Sequence, residues 1–377
     1  MTKIKLAKKI IRNYFIHLEK NQRKFVPGKS KIPLAFPPYG AEEVCEALDS
    51  MMRLKTTMGN KVRKFEREFA KYIGTKYSIM VNSGSSANLL ALSILTNPYL
   101  GNKRIKTGDE VITPAVTWPT TVYPISNVGA IPKFVDVNLD DFSINVDEIE
   151  NAITKKTKAV MLVHLLGNPC DMRKIKKIVK QHDLWLIEDA CEAHGAKYYQ
   201  KYVGSFGDLS TFSFFASHHI TTMEGGMVLT SNKTLYELGK SLRTFGWVRD
   251  QSSRKTLEKK YQKIDPRFLF VNMGYNFRPT ELQGAFGIHQ IKKLENLVKI
   301  RIKNATFWNK KLSPYEEFLI LPKLKKHYRK SFLFYPLTVI KNNYFSKQEL
   351  VNRLEKVGIE TRPVMAGNIL EQPVSKI

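Results

Sequence analysis

Two adjacent histidines, His218 and His219, lie in the middle of the segment SFFASHHITTMEGG, which runs from Ser213 to Gly226. An imidazole ring can take up and release a proton near neutral pH, so a histidine in a loop can serve as a general acid or base. The Ser213 hydroxyl could bind a phosphate group, and the Glu-Gly-Gly sequence predicts a tight turn at the end of the segment. The segment therefore predicts proton transfer beside an anionic ligand.

A second candidate site is the segment NSGSSAN at residues 82–88, between a predicted strand and a predicted helix. Backbone N–H groups in the first turn of a helix can bind a phosphate, and a glycine there permits close approach. Gly84, Ser85 and Ser86 are the candidates for such a cradle. Serine and glycine are also ordinary helix caps, so the segment alone is compatible with either role.

An acidic and an aromatic side chain follow two other apolar runs. Asp189 ends the run LWLIED, where a buried carboxylate needs a partner or a function. It could keep the pyridine nitrogen of pyridoxal phosphate protonated, which makes that cofactor a better electron sink. A helix N-cap is an equally good interpretation. Trp118, at the TWP turn, could stack on a flat cofactor ring or simply pack against its neighbours.

The elements that must position these residues form a repeating pattern from about residue 60. Short apolar runs typical of strands alternate with helical segments, and the runs are KYSIMV, GDEVITPA, AIPKFVDV, KAVMLVHLLG, WLIED, STFSFF and GGMVLT. This alternation predicts right-handed crossovers and an α/β fold with a mostly parallel sheet flanked by helices. Ligands of such sheets bind beyond the carboxyl ends of the strands, where the candidate residues fall.

Three regions are predicted along the chain. Residues 1–34 form a basic leader whose apolar residues recur at helical spacing, and we expect this helix to pack on its own domain or partner rather than on a membrane. Residues 35–290 form the large α/β domain. Residues 291–377 begin with a long charged helix and continue as strand, helix and strand, which predicts a small α+β domain.

Composition narrows the possible partners. The net charge is +27, from 61 Lys and Arg against 34 Asp and Glu. The basic residues are mostly lysines spread along the chain, which favours a solvated surface over nucleic-acid binding, although the charge would help attract a diphosphate. The cysteines Cys45, Cys170 and Cys191 cannot build a disulfide framework or a four-cysteine metal site. Without a long apolar run or a secretory signal, the sequence predicts a cytoplasmic protein.

The order of these motifs resembles the DegT/StrS family of sugar-nucleotide aminotransferases. The shared order is the phosphate turn, the aromatic at a turn, the strand-end aspartate and the Ser-Phe loop ending in Glu-Gly-Gly. Further similar segments are Leu166–Pro169, Gly274–Pro279 and Gly358–Pro363. The resemblance runs from about residue 35 to the end, and it implies the type I fold of pyridoxal-phosphate-dependent transferases and a homodimer with shared active sites.

In the family's aminotransferases a lysine that binds the cofactor covalently stands five residues after the serine of the Ser-Phe pair. That position is His218 here. Imidazole cannot form a stable Schiff base, so the covalent resting state is lost and general acid–base chemistry remains. The same double-histidine loop occurs in a branch of the family, the sugar-nucleotide 3-dehydratases, which remove the C3 hydroxyl of 4-keto-6-deoxy sugars. The resemblance implies this reaction, with pyridoxamine phosphate held non-covalently and glutamate as amino donor.

Other roles carry over from the same resemblance. Asp189 should pair with the pyridine nitrogen, Trp118 should stack on the ring, and Glu192 should line the cofactor edge. The phosphate should be held by the Gly84–Ser86 turn and the Ser213 hydroxyl, with Asn276 reaching across from a second subunit. Arg249, Arg278 and His219 are expected at the substrate, because guanidinium groups bind carboxylates and diphosphates in bidentate fashion. A surface salt bridge is the alternative role of each arginine.

Some members of this branch carry a [2Fe–2S] cluster, which needs four cysteine ligands and is excluded by the cysteine count. The remaining members include enzymes of deoxysugar and lipopolysaccharide O-antigen biosynthesis, and GDP-4-keto-6-deoxymannose is the expected substrate; no metal is expected. Two alternatives stay open, namely an aminotransferase that tolerates histidine and a non-catalytic relative. Compared with the family, the small domain is expected to be incomplete at Ile377.

Overall fold

A seven-stranded sheet lies at the centre of the computed structural model, which describes residues 3–21, 25–36 and 38–376. Its strands are β1 (Tyr77–Val81), β2 (Glu110–Pro114), β3 (Ile131–Val135), β4 (Thr157–Val163), β5 (Trp185–Asp189), β8 (Leu209–Ser213) and β9 (Gly226–Thr230). Two short strands, β6 (Lys197–Tyr198) and β7 (Lys201–Tyr202), lie between β5 and β8 in the chain. The spatial order is β1-β9-β8-β5-β4-β2-β3. Only β9 runs against the others, since it pairs antiparallel with both neighbours while the remaining pairs are parallel. The predicted mostly parallel sheet is confirmed.

Helices cover both faces of this sheet. In chain order they are α1 (Lys3–Asn21), α2 (Ala41–Met52), α3 (Asn60–Ile73), α4 (Gly84–Leu95), α5 (Pro119–Asn127), α6 (Val146–Ala152), α7 (Met172–Gln181), α8 (Lys233–Arg243), α9 (Arg254–Lys260), α10 (Glu281–Leu312) and α11 (Lys347–Lys356). Helices α4, α5 and α8 pack on one face, whereas α3, α7 and α10 pack on the other. Because both faces are covered, burial does not alternate along the central strands, and all five residues of β5 and of β8 are buried.

The basic leader contains α1, which packs against α2. Lys8 forms an ion pair with Asp49 at 3.1 Å, and the thiol of Cys45 donates to the Lys8 carbonyl. Ile10 and Tyr14 stay largely exposed, so the contact uses only one side of the helix. Within the described residues, none of the helices combines the length and apolar character needed to cross a bilayer.

The C-terminal region is attached to the large domain through α10, a single helix that runs across residue 290 without a break. Beyond it, β10 (Leu319–Ile320) pairs with β12 (Thr338–Val339), and β11 (Tyr328–Arg329) pairs with β6 of the large domain. The predicted helix is present as α11. The second strand predicted near residues 359–363 is reduced to one bridge between Ile359 and Ile32, because its only described neighbour in the ladder is a short segment of the leader.

Candidate active site

The predicted site residues converge at the carboxyl edge of the sheet. Ser213 is the last residue of β8 and Asp189 is the last residue of β5, and these two strands are parallel neighbours. The segment that contains both histidines leaves β8 at Ser213 and returns as β9 at Gly226. The structure therefore brings the loop and the strand-end carboxylate to one place, as predicted for ligand sites in parallel sheets.

The N-terminus of α4 meets β8 at the predicted phosphate cradle. Gly84 lies directly against Ser213, and a Cβ at position 84 would collide with the Ser213 side chain. The Ser83 side chain caps the helix by accepting from the Ser86 backbone N–H at 3.1 Å, while Ser85 is exposed. The first amides of a helix lack intrahelical acceptors. The turn can thus present N–H groups and the Ser213 hydroxyl to one anion, a fit that requires glycine at position 84.

Asp189 is held in place by a buried hydrogen-bond network. Its Oδ2 accepts from Asn88 Nδ2 and from the Thr121 hydroxyl, both at 2.8 Å, and its Oδ1 accepts from the Cys191 backbone N–H at 3.1 Å. The Thr211 hydroxyl donates to Asn88 Oδ1 at 2.6 Å and fixes the orientation of that amide. All of these donors are neutral, so among the described residues no cationic side chain pairs with Asp189, and its carboxylate is available to a cationic ligand group such as a protonated pyridine nitrogen.

The neighbouring carboxylate, Glu188, faces the other side of β5. It is fully buried and accepts from His164 Nε2 at 2.9 Å and from the backbone N–H groups of Gly204, Phe206 and Gly207 at 2.6–2.8 Å. Successive residues of a strand point to opposite faces. Glu188 therefore ties the β7–β8 connection to the sheet, and Asp189 is the acid that faces the candidate site.

Trp118 and Glu192 flank the Asp189 network. Trp118 is 47% exposed and precedes α5, whose Thr121 donates to Asp189, so its indole is available for stacking. Glu192 is buried and accepts from the Leu166 backbone N–H at 2.7 Å. Burial, with a smaller contribution from the charge of Asp189, raises the pKa of Glu192 to about 7. Glu192 is therefore a group that can change protonation state near neutral pH.

Three histidines and one arginine form a compact group, which we call the histidine cluster: His194, His218, His219 and Arg301. The His194 ring centroid lies 6.0 Å from that of His218 and 5.5 Å from that of His219. Burial first, and then the charge of Arg301, lowers the pKa of His218 to about 4. His218 is consequently neutral at physiological pH and available to accept a proton.

The two histidines of the loop have different surroundings. His218 is half-buried, and its Nδ1 is enclosed. His219 is 1% exposed, and its Nε2 lies 3.1 Å from the Ser331 carbonyl. Arg301 donates to the carbonyls of Phe332 at 3.0 Å and Leu333 at 2.8 Å, which fastens the C-terminal segment beside the loop. The predicted contact between His219 and substrate stays a prediction.

The predicted arginines lie in a different setting, which we call the aromatic–arginine patch: Phe245, Trp247, Phe270, Arg249 and Arg278. Trp247 stacks on Phe270, Arg249 lies over Trp247 at 4.7 Å, and Arg278 lies over Phe245 at 4.8 Å. Both arginines are exposed, as is Asn276, whose Oδ1 accepts from Arg278 Nε at 2.9 Å. This patch offers planar cations on an apolar support, an arrangement suited to binding carboxylate, phosphate or a base.

Comparison with known proteins decides the family. The profile of the DegT/DnrJ/EryC1/StrS aminotransferase family matches residues 38–376. The chain belongs to this family. GDP-4-keto-6-deoxy-D-mannose 3-dehydratase of Yersinia pseudotuberculosis is 40% identical over 344 residues, which cover 90% of this chain and 86% of the relative. The dTDP-4-dehydro-2,6-dideoxy-D-glucose 3-dehydratase of Saccharopolyspora spinosa is 38% identical over 96% of this chain and 80% of the relative.

A solved structure gives the same assignment. The GDP-4-keto-6-deoxy-D-mannose 3-dehydratase of E. coli with bound hydrated pyridoxal phosphate superposes with a TM-score of 0.85 and 36% identity, covering 91% of this chain and 87% of that one. The predicted type I fold of pyridoxal-phosphate-dependent enzymes is confirmed. Among the described residues no group of three or more His, Cys, Asp or Glu side chains is placed to hold a metal ion.

Several residues of the site were missed by sequence reasoning. Asn88, Thr121 and Thr211 position Asp189, and His194 and Arg301 surround the loop histidines. Asn88 lies inside the predicted phosphate segment and His194 lies five residues after the strand-end aspartate, so both carried a weak signal. Arg301 carried none, because one arginine in a lysine-rich helix of the C-terminal region looks like surface charge.

Proposed function

We propose that this protein is a sugar-nucleotide 3-dehydratase that removes the C3 hydroxyl of GDP-4-keto-6-deoxymannose, with glutamate as amino donor, in deoxysugar and O-antigen biosynthesis. The observation that carries the proposal is a neutral, half-buried His218 at the position where the family's aminotransferases have their lysine. Its pKa, lowered to about 4, suits a base that must be unprotonated before the reaction begins. The similarity to two curated 3-dehydratases supports the choice of reaction.

The residues present fit pyridoxal phosphate and pyridoxamine phosphate as the cofactor. The Gly84–Ser86 turn and Ser213 would hold the phosphate, Asp189 would pair with the pyridine nitrogen, and Trp118 would stack on the ring. When bound, pyridoxamine phosphate supplies the amine that reacts with the sugar's C4 ketone and a conjugated ring that accepts electrons. Glu192 would line the cofactor edge with a carboxyl whose pKa burial raises to about 7.

His218 does the proton transfer in this proposal. Its enclosed Nδ1 leaves Nε2 as the nitrogen that faces the reactants, so Nε2 takes the proton from the C4′ carbon of the cofactor. The same nitrogen then donates a proton to the departing C3 hydroxyl, which leaves as water. A histidine can do both because it does not become covalently attached, whereas a lysine at this position would favour completed amino transfer at C4.

A homodimer located in the cytoplasm completes the proposal. Asn276, Arg278 and Arg249 lie on an exposed surface that also carries large apolar side chains, including Met273 at 97% exposure and Phe270 at 49%. Exposed apolar surface of this kind is typical of an interface. In a dimer that buries this surface, Asn276 would reach the cofactor phosphate of the second subunit and the arginines would reach the substrate diphosphate or the glutamate carboxylate.

Product analysis tests the proposed function. The purified full-length protein is loaded with pyridoxamine phosphate and mixed with glutamate and either GDP- or CDP-linked 4-keto-6-deoxyhexose. We expect ammonia and a 3-deoxy-4-keto sugar from the GDP-linked substrate. A 4-amino sugar would show an aminotransferase, and no turnover together with no cofactor absorbance would show a non-catalytic relative. The His218→Asn variant serves as the matched control, because it should bind the cofactor without releasing ammonia.

A further inference from the structure

Four buried ring nitrogens belong to His194 and the two loop histidines. Both nitrogens of His194, Nδ1 of His218 and Nδ1 of His219 make no hydrogen bond of good geometry among the described residues, although the Ser213 backbone is close enough to His194 to oppose the lowering of its pKa. The three rings lie side by side, with His194 between its two neighbours at centroid distances of 6.0 and 5.5 Å. Buried polar nitrogens of three neighbouring rings are thus gathered within the histidine cluster.

The rest of the His194 environment is apolar. Its ring contacts Phe212 at 5.2 Å, Phe214 at 5.6 Å and Phe69 at 6.3 Å between centroids, and the residue has no exposed surface. A buried polar group without a partner is destabilising, so packing alone would favour a phenylalanine here. We therefore expect the ring nitrogens of His194, which lies between an aromatic core and two other imidazoles, to take part in hydrogen bonding.

Burial is the main reason why all three rings stay neutral. It lowers the pKa of His194 and His219 well below the usual histidine value, with smaller contributions from His218 and Arg301 at His194 and from Arg301 at His219. The charged or titratable groups that act on these rings are Arg301 and the rings themselves, and the Ser213 backbone partly opposes the shift at His194. Each neutral imidazole has one donor and one acceptor nitrogen, so neighbouring rings can offer complementary groups to a bridge between them.

We propose that His194 is a positioning residue that fixes the tautomer of His218 through a buried hydrogen-bonded bridge. The 6.0 Å between the two ring centroids is too long for a direct hydrogen bond between ring nitrogens, so the bridge requires an intervening group such as one water. His218 Nδ1 then carries the proton and donates into the bridge, and Nε2 is left as the acceptor. The inference rests on the proposed function, because it concerns how His218 is prepared as a base.

The first test compares two substitutions of His194 that a structural role and a positioning role rank differently. His194→Phe suits the aromatic core but removes both nitrogens, whereas His194→Gln keeps a donor and an acceptor and packs less well. We expect kcat to fall about 100-fold in His194→Phe, the effect of a misplaced catalytic group, and less in His194→Gln, with KM unchanged in both. The surface variant His182→Gln is the matched control. Equal or higher kcat for His194→Phe than for His194→Gln would overturn the proposal.

The second test reads the tautomer directly and needs no turnover. Histidine ¹⁵N NMR spectra are recorded on the wild-type protein in its pyridoxamine phosphate form, and the His218 signals are assigned by their loss in His218→Asn. We expect a protonated Nδ1 and an unprotonated Nε2 in the wild type, and a mixture of tautomers in His194→Gln. Protonated Nε2 in the wild type, or an unchanged spectrum in His194→Gln, would refute the role of His194. Failure of the proposed function would appear separately, as absence of dehydration by the wild type.

Discussion

The histidine cluster and the aromatic–arginine patch both contain predicted site residues, yet they differ in nearly every physical respect. In the cluster, His194 and His219 are at most 1% exposed, and the adjacent Asp189 is fixed by three hydrogen bonds. In the patch, Phe245 is 37% exposed and Phe270 is 49% exposed, and the cations rest on aromatic rings instead of facing carboxylates. The first region is buried within the chain, and the second lies on its surface.

The difference separates chemistry from recognition. Groups that move protons need a fixed geometry and a dry surrounding, which sets their pKa values, and a buried network provides both. Groups that select a ligand can stay exposed until the ligand or a second subunit covers them. Substitutions in the cluster should therefore change rate constants and pH dependence, whereas those in the patch should change affinity.

The largest effect on kcat is expected for a substitution of His218, because this residue performs the proton transfer in the proposed function. An asparagine cannot take up a proton, so His218→Asn should lose general acid–base catalysis, about 100- to 10,000-fold in kcat. Cofactor absorbance and melting temperature should stay near wild type, since Nδ1 of His218 makes no direct hydrogen bond among the described residues. A steady-state assay of ammonia release measures the change, and a kcat within tenfold of wild type would contradict it.

Glu188 and Asp189, the adjacent carboxylates of β5, should respond differently to substitution, the first mainly in stability and the second mainly in cofactor binding. Glu188→Gln places an amide among one imidazole and three backbone donors and should lower the free energy of unfolding by about 3–5 kcal/mol. Asp189→Asn keeps one acceptor oxygen for Asn88 and Thr121 and loses the contact with the Cys191 backbone N–H, so it should lose less stability than Glu188→Gln while it weakens cofactor binding by about 1.5–3 kcal/mol. Denaturant unfolding and cofactor titration of both variants separate the two. The reverse assignment of effects would show that the carboxylates have exchanged roles.

Glu192, a buried carboxyl near the histidine cluster, should make the stability of the protein depend on pH. Its pKa in the folded protein is about 7 and its ordinary value is 4.5, so between these pH values the folded state binds more protons than the unfolded state. Stability therefore falls as pH rises through this window. Glu192→Gln removes the penalty, and its gain over wild type should grow from near zero at pH 4.5 to about 3 kcal/mol at pH 8. Melting curves of the cofactor-free proteins across this range provide the measurement, and a constant difference would exclude the raised pKa.

The smallest effects are expected in the aromatic–arginine patch. Arg249→Ala and Arg278→Ala remove exposed cations, so each should raise KM for the nucleotide sugar or for glutamate about tenfold and leave kcat within a factor of about 2–3. Lys55→Ala, another exposed cation, is the control. Initial-rate kinetics with each substrate varied in turn would identify which anion each arginine binds. A fall in kcat with unchanged KM would show instead that the arginine acts in the chemical step.

The fold and much of the site could be predicted from the sequence, for a definite physical reason. Apolar runs that end in Asp189 or Ser213 must become buried strands, and parallel strands bring their carboxyl ends together. Gly84 was predictable because a close approach of helix and strand leaves space only for glycine. The helices α4, α10 and α11 follow from caps and periodicity that are local in the chain.

What sequence reasoning missed depends on contacts between distant segments. Arg301 reaches the loop histidines only because α10 crosses the back of the sheet, and no local pattern reports that path. The polar partners of Asp189 come from three separate segments, at Asn88, Thr121 and Cys191. The second strand of the small domain failed for a related reason, since a strand needs a neighbour and Ile359 finds a single bridge.

The alternation of Glu188 and Asp189 also constrains how this site can have evolved. A one-residue insertion or deletion in β5 would exchange the two carboxylates, leaving the β7–β8 connection unfastened and the cofactor without its acid. The strand therefore tolerates neither gain nor loss of a residue. The residues between Ser213 and Gly226 belong to no strand, so strand pairing does not fix their register. A new reaction can arise there by replacing one side chain, while the frame that holds the cofactor is inherited intact.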